Sequence, residues 1–513
     1  MKRPLAVTGF SLLIMMLILC ISDSTALSII TAIISYVSFM VTAVLPKTRK
    51  GYIIPTALFC IFLAGTMFYF AQSSYEKVSS LADKDADIVC KVMEEPVFNK
   101  NYGRYYCTAE IITIDGKKYN SNIRLSFNSI YDEINPDDLQ IGNTLAFRGH
   151  LYNVGGENKD IIDYFKSENI YIGTYSIDNL KIEAPKVRPL GYYGDKLRKY
   201  IILNFRENFS SDTAGLLTAL LTGDKSYVSD EVYDSFKNSG VAHLMAVSGM
   251  HLAVLVLFLN LFIKKLKKNH TKIHFTILTV FILFFMFTAS FSPSVVRAGV
   301  MLLVLLTGQL FDKRADSLNS LGFACICILV ANPFSAMSVG FLLSVLSTMA
   351  IILSAVPFCN RHRYFICDKL GLSDRLSFFI SRAVMLSLAI SLSVMVYTLP
   401  VMAIFFGSVS LISPVANLLF LPVNTIIIVL SFVSAILCAI GFMPSSLIFI
   451  IEKISAYCLG VAELLGGTEK FIVRIDTPLA IAICFLIPFA LYLAIKASSK
   501  LSRKIRYKKF KPL

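Results

Sequence analysis

The sequence has 513 residues, of which 55% are hydrophobic and 16% charged, against roughly 25% charged in an ordinary soluble domain. A single water-soluble core cannot absorb that excess, so composition excludes a soluble globular protein. The formal charge of +15 is unevenly placed. About half of the lysines and arginines, with few acids, fall in the segments 2–3, 47–50, 264–272, 312–316, 361–382 and 496–511, which is the bias of cytosolic loops before it is a nucleic-acid footprint.

Taken in order, the chain opens with three apolar runs near Leu5–Cys20, Ala26–Leu45 and Tyr52–Phe70. Each is continuous and about as long as a membrane-spanning helix requires. The first follows Lys2 and Arg3 in the manner of a signal peptide. No small-residue cleavage site follows it, and the second run begins almost at once, so it reads as a retained span. The loop holding Lys47, Arg49 and Lys50 belongs in the cytosol, and residues from about Ala71 lie outside.

Between Asp87 and Glu183 the period changes. DIVCKVM, YYCTAEIITI, NIRLSF, TLAFRGHLY and IYIGTYSI are short β-branched and aromatic runs, broken by Asp115-Gly116, Asn135-Pro136 and Gly155-Gly156. That pattern predicts about five antiparallel strands closing into an OB-like barrel. Cys90 and Cys107 fall on neighbouring strands outside the cell, where a disulfide between them is expected. Most other cysteines lie in apolar runs and read as small buried hydrophobes.

From Arg188 to Ala242 the chain is too polar to span but is patterned like amphipathic helices, with Ala214, Leu216, Leu217, Leu220 and Leu221 on one face. Such helices suit the membrane interface or the lining of a vestibule. Lys186, Arg188, Lys196, Arg198, Lys199 and Arg206, opposed over that stretch by Asp195 alone, form an outer basic patch suited equally to a polyanion or to lipid headgroups. The barrel itself carries more acids than bases, which disfavours it as a reader of single strands.

Apolar runs return near Ala242–Ile263, Phe275–Ala289, Val295–Leu310, Leu321–Ala331, Val339–Pro357, Val384–Pro400, Val423–Gly441, Leu447–Leu465 and Leu479–Ile495. The fold class is therefore a polytopic α-helical membrane protein of about twelve spans, with an inserted extracytoplasmic β domain and both termini in the cytosol. The count requires the segment from Val401 to Leu421 to be re-entrant or interfacial. The domains run 1–71 (three spans), 72–185 (barrel), 186–241 (interfacial helices), 242–495 (transmembrane domain) and 496–513 (basic tail).

The densest unusual cluster is Gly223-Asp224-Lys225 followed by His243-Leu244-Met245-Ala246-Val247-Ser248-Gly249-Met250-His251. If that stretch is helical, His243, Val247 and His251 share a face. Polar groups at the mouth of a span need a partner or a water-filled path. Packing or gating is one reading of His243, Ser248 and His251, and contact with a substrate is the other. A Ser-His nucleophile pair lacks an acidic orienter nearby in sequence. Arg297, near the start of a span, reads as a snorkelling side chain or a guide for phosphates. Asp224 reads as a turn or cap residue, or as the partner of Lys225.

This cluster resembles the signature of the ComEC competence family, and LLTALLTGDKSYVSDEVYDSFKNSG resembles the block before it. Pro293-Ser294, Arg297-Ala298, Met301, Leu318–Ala324, Asn332-Pro333, Gly340–Ser344, Thr398–Pro400, Phe405–Gly407, Ser410, Pro414, Asn417-Leu418 and Pro422 continue the likeness in order. The resemblance implies passage of single-stranded DNA across the cell membrane in natural transformation. Asp224, His243, Ser248, Gly249, His251, Arg297 and Asn417 would then be path or gating residues. It implies as partners single-stranded DNA, membrane lipids, other competence proteins, a separate nuclease, a cytosolic motor and a second copy in a homodimer. Leu342 departs from the glutamine of many relatives, and Gly156–Lys159 replaces an asparagine-proline-glycine. Many relatives end in a metallo-β-lactamase-like domain, but no His-x-His-x-Asp-His run occurs in this sequence. No metal, cofactor or catalytic residue is therefore expected. The rival class is a membrane enzyme or a flippase of a lipid-linked polymer; a third reading is a structural subunit with no conduit. Intramembrane acids would favour an ion-coupled transporter, and the runs contain few.

Overall fold

The computed structural model describes residues 3–44, 53–99, 102–128, 134–289, 291, 293–311, 316–360, 375–467, 469–475 and a few positions from 477 to 490. The basic loop 47–50, most of the loop 361–382, the run Leu479–Ile495 in large part and the basic tail lie outside the described residues. The chain forms two compact units, Met1–Lys199 with Arg314–Phe341, and Tyr200–Lys313 with Leu342–Leu513. That division departs from the boundaries read in the sequence, because a central segment, 314–341, belongs with the amino-terminal unit.

In the first unit, α1 (Pro4–Ser22), α2 (Thr25–Val44) and α3 (Ile53–Ser79) are joined by α11 (Ser317–Ala331). Proline at its first position starts α1, where no N–H partner is lost, and Asp23 ends it in the left-handed region at φ 47°. Two glycines let α1 and α11 touch backbone to backbone. A Cβ on Gly9 would stand 2.6 Å from the Gly322 Cα, and one on Gly322 would stand 2.6 Å from the Ala6 Cα. Small residues allow such close approach in membranes, where apolar burial gives no drive between helices. At the helix ends Asp316 caps α11, accepting from the Asn319 N–H at 3.0 Å, and pairs with Arg3 at 2.9 Å.

The barrel follows α3. Its strands are β1 (Asp85–Val92), β2 (Val97–Asn99), β3 (Arg104–Ile114), β4 (Asn122–Phe127), β5 (Thr144–Asn153), β6 (Ile170–Thr174) and β7 (Asp178–Glu183). The order β1-β3-β4-β6-β5 closes on itself through β1–β5 pairing, so five strands make the barrel, while β2 and β7 pair at its margins. The β4–β6 pair is parallel, a connection that needs a crossover. The helix α4 (Lys159–Ser167), capped by Asn158, lies within that crossover. Alternation along β1 buries Ala86, Ile88, Cys90 and Val92, as the period of a strand requires. This is the small OB-like barrel expected, with two marginal strands and one helix that the sequence reading omitted.

α4 docks on the helices of the same unit. Lys166, buried, pairs with Asp23 at 3.1 Å and lies 4.0 Å from the Tyr75 ring centroid. The Asn332 amide donates to the carbonyls of Lys166 and Ser167. Tyr171 of β6 meets Tyr75 and Phe334 edge-on. A buried ammonium persists because a carboxylate and the ring faces of Tyr75 and Phe334 replace its water.

The expected disulfide is not formed. β1 and β3 are neighbours, as read, but the register sets Cys90 opposite Ile111. Cys107 lies four residues further along β3, on the order of 13 Å at strand rise, beyond the reach of a disulfide. Both remain free thiols, and the Cys107 Sγ contacts the Glu94 carbonyl at 3.0 Å.

The second unit contains the later part of α5 (Leu190–Asn208), then α6 (Ser211–Thr222), α7 (Asp230–Asn238), α8 (Gly249–Asn269), α9 (Thr271–Thr288) and α10 (Pro293–Leu310). Most of α12 (Val339–Ala350, with a π-turn at Ile351–Ala355), α13 (Arg375–Phe405), α14 (Ser413–Ala439) and α15 (Ser445–Gly466) complete it. The strand β8 (Ser408–Ser410) pairs with β9 (Ile472–Arg474). Seven described helices are long and apolar enough to cross a membrane, and three shorter apolar helices accompany them.

The segment Val401–Leu421 divides into the end of α13, β8, and the first turns of α14, which runs unbroken through Pro422. The helix α6 packs within its unit. Every residue from Thr213 to Thr222 is buried, because its non-leucine face is small, and Thr222 satisfies its hydroxyl on the Thr218 carbonyl at 2.9 Å.

Candidate functional site

The residues singled out in the sequence collect largely in the second unit, around the start of α8. The approach is made by α6, whose amino end is held by a carboxylate from α15. Glu452 accepts from the Ser210 N–H at 2.7 Å, the Ser210 hydroxyl at 2.9 Å and the Thr213 hydroxyl at 2.7 Å. The four leading N–H groups of a helix lack internal partners, and an acid there also meets the positive end of the helix dipole. Sequence reading missed Glu452, since an acid inside an apolar run announces a partner without naming it.

Gly223 ends α6 at φ +82°, against Val247. Asp224 then closes a tight turn, its Oδ1 accepting from the Ser226 N–H at 2.9 Å. Lys225 does not pair with it; the ammonium lies 5.3 Å from the Tyr233 ring centroid. Asp224 is a turn residue, and Ser229 caps the helix that follows.

At the far end of α7, Gly240 turns the chain at φ +77°. A Cβ there would stand 2.7 Å from that of Ser413. Ser410 and Ser413 donate to the carbonyls of Asn238 and Gly240, and Asn417 reaches Ser413 at 3.4 Å. Asn417 thus supports the turn through α14.

The histidine-rich stretch is not the continuous helix considered above. Ala242–Met245 is one 3-10 turn, Ala246 to Ser248 is extended, and α8 begins at Gly249, so His243 and His251 do not share a helix face. His251 is fully buried. Its Nδ1 accepts from the Ser248 N–H at 2.8 Å and lies 3.0 Å from the Ser248 Oγ. A nitrogen that accepts a backbone proton carries none itself, so the neutral ring holds its proton on Nε2. The Ser-His contact is therefore a helix cap, its base lone pair already engaged. Nε2 is buried without a partner among the described residues.

His243, on the 3-10 turn, has an exposed side chain.

Gly249 faces α10. A Cβ there would stand 2.7 Å from that of Ala298 and 3.6 Å from Nη2 of Arg297. Arg297 is buried rather than snorkelling. Ser294 and Ser344 approach at 3.4 Å nearby in sequence to these positions, and Leu342 is buried. The described residues contain no group of three or more His, Cys, Asp or Glu able to hold a metal ion.

The outer basic patch is not assembled as read. Arg188 donates to Asn143, Arg198 pairs with Asp195 at 3.1 Å, and Lys199 pairs with Glu95 and lies 3.7 Å from Asp195. Glu95, distant in sequence, supplies the opposing charge the local count lacked. Lys186, Lys196 and Arg206 remain exposed.

A model of the family described as "Competence protein" matches residues 220–500, which include Asp224, His243, Ser248, Gly249, His251, Arg297, Asn417 and Glu452 but not Ser210 or Thr213. The chain belongs to the competence protein family. It is similar to ComE operon protein 3 of Bacillus subtilis (strain 168), with 28% identity over 278 residues, covering 54% of this chain and 33% of that protein. The chain thus spans about a third of the length of the curated relative it matches. No solved structure matches it. Competence family membership and the apolar helices make this a membrane protein of the ComEC type.

Proposed function

We infer that the chain conducts single-stranded DNA across the cell membrane during natural transformation, and that the passage runs by the turn carrying His243. The observation that supports this most is the broken backbone from Gly240 to Ser248, between the amphipathic α7 and the apolar α8. Non-helical backbone near membrane depth is tolerated where protein buries it or where it borders water, and the His243 side chain at this break is exposed. Gly240 and Gly249 lock the two ends of the break against α14 and α10. Asp224 and Asn417 act on this reading by positioning, and Arg297 supplies a fixed positive charge beside Gly249.

The topology that accompanies this reading has twelve spans, cytosolic termini and the barrel outside. The partners are DNA, lipids, other competence proteins, a separate nuclease and a cytosolic motor, with a homodimer as the assembly. No cofactor takes part and the chain performs no hydrolysis. The experiment is transformation in a clean deletion strain of the source organism, complemented with wild type or Gly249→Leu. Wild type restores entry of labelled DNA to the cytosol; Gly249→Leu, at normal protein level and normal surface DNA binding, does not. Entry unaffected by both deletion and variant overturns the DNA reading.

A further inference from the structure

The helix α5 bears two opposed faces. Ile202 and Phe205 are buried at 5% and 0% exposure, while Leu190, Tyr193, Tyr200 and Leu203 are exposed at 77%, 56%, 43% and 56%. At 3.6 residues per turn those four lie along one side. Exposed Lys196 and Glu207 fall on that same side, so the face mixes two leucines and two tyrosines with one lysine and one glutamate; long charged side chains can lay their stems along apolar surface while the charged ends reach outward.

The depth of the Tyr200 end of the helix is marked independently. The Tyr200 hydroxyl donates to the carbonyl of Cys438 at 3.3 Å, in the last turn of α14, a 27-residue apolar helix of spanning length. The end of a spanning helix lies where acyl chains give way to headgroups. Ile440 and Phe442, just beyond it, are exposed at 72% and 62%. Tyrosine at the junction places ring in hydrocarbon and hydroxyl in the polar zone. Exposed Lys186, Lys196 and Arg206 accompany the stripe, with exposed Glu207 the acid in its last turn. Leucines and interfacial tyrosines with Lys196 among them, and Lys186 and Arg206 beside them, match an anionic lipid surface. A polyanion in water would leave the stripe uncovered.

We propose that α5 is a membrane-surface helix whose Leu190, Tyr193, Tyr200 and Leu203 stripe sits among the acyl chains of one leaflet, with Lys186, Lys196 and Arg206 on anionic headgroup phosphates. The proposal is independent of DNA conduction, and α5 lies outside the segment matched by the family. The sequence contains no tryptophan, so Leu203→Trp and Tyr193→Trp each give a single emitter in the full chain. Tyr102→Trp, at the exposed tip between β2 and β3, is the water-facing control.

The proteins are reconstituted in phosphatidylcholine vesicles with and without phosphatidylglycerol. Expected is blue-shifted emission at 203 and 193, lost on substituting acyl-brominated lipid and insensitive to aqueous iodide, with the opposite behaviour at 102. Phosphatidylglycerol deepens the loss, and the triple change Lys186→Gln, Lys196→Gln, Arg206→Gln removes that increment alone. Iodide quenching at both 203 and 193 overturns the proposal, as does quenching by added single-stranded DNA. Shielding of both positions from lipid and water alike also overturns it, because a second protein surface then covers the stripe.

Discussion

Gly249 and Ala298 meet with no room for a methyl group between them: a Cβ built on Gly249 falls 2.7 Å from the Ala298 Cβ. The contact fixes the start of α8 on α10. Even Gly249→Ala is therefore expected to cost about 1–3 kcal/mol of packing strain, and Ala298→Gly in the same chain should recover most of it. Thermal unfolding in detergent, alongside DNA entry, checks this. Loss without recovery in the double variant means that Gly249 matters for another reason, such as contact with a ligand.

Ser248 and His251 behave as a cap rather than a nucleophile pair. Ser248→Ala leaves the backbone N–H on Nδ1, so it should lower stability by less than about 1 kcal/mol and leave DNA entry close to wild type. His251→Ala removes the acceptor and the ring together and should be clearly worse. A Ser248→Ala protein that folds normally yet is inactive would instead favour the enzymatic reading.

Glu452 offers a sharper stability test. Glu452→Ala strands the Ser210 N–H and two hydroxyls, at a cost of about 1–3 kcal/mol. Glu452→Gln keeps an acceptor and should fall between it and wild type. Hydrogen exchange at the first turn of α6 reads the effect locally, and unchanged protection there in Glu452→Ala counts against the clamp.

The barrel thiols give a pH prediction. Burial pushes the Cys90 pKa from 9.0 up to about 12 and raises that of Cys107 as well, with Cys90 and nearby acids adding to the latter. Folding therefore favours the neutral thiols. Their contribution is full below pH 9, the unfolded value, and is lost as pH rises from there towards the folded value. Both should resist alkylation at pH 8 until the barrel unfolds, and reducing agent should not change its melting. A reductant-sensitive mobility shift would restore the disulfide.

Orientation is testable with an impermeant thiol reagent in intact cells. The residue for an outer probe is Glu157, exposed in the turn before α4, because Asn158 caps that helix with its side chain. A cysteine at Glu157 should label and one at exposed Lys265 should not. The reverse pattern overturns the proposed topology.

The barrel was legible because strand alternation is local: NIRLSF coincides with β4, and Asp115-Gly116 takes up positive φ at both residues. Three-residue β2 and the polar β7 carry too little pattern to be seen. Glycine and threonine gave α6 a false polar face: Gly215 is small enough to bury, and Thr222 is buried with its hydroxyl bonded within the helix. Gly249 was rightly weighted as small, but its neighbour Ala298, the partner of Lys199 at Glu95, and the clamp at Glu452 depend on contacts between distant segments. Those follow from tertiary geometry, which periodicity does not encode.

The Gly9–Gly322 crossing joins residues made far apart in time. A ribosome must complete α6 through α10, all between Lys199 and Arg314, before α1 can receive the helix it packs against. Until then the bare glycine face of α1 stays open in the bilayer, available to a chaperone or to another chain. A fragment ended near residue 310 would carry the entire barrel and still leave its membrane support incomplete.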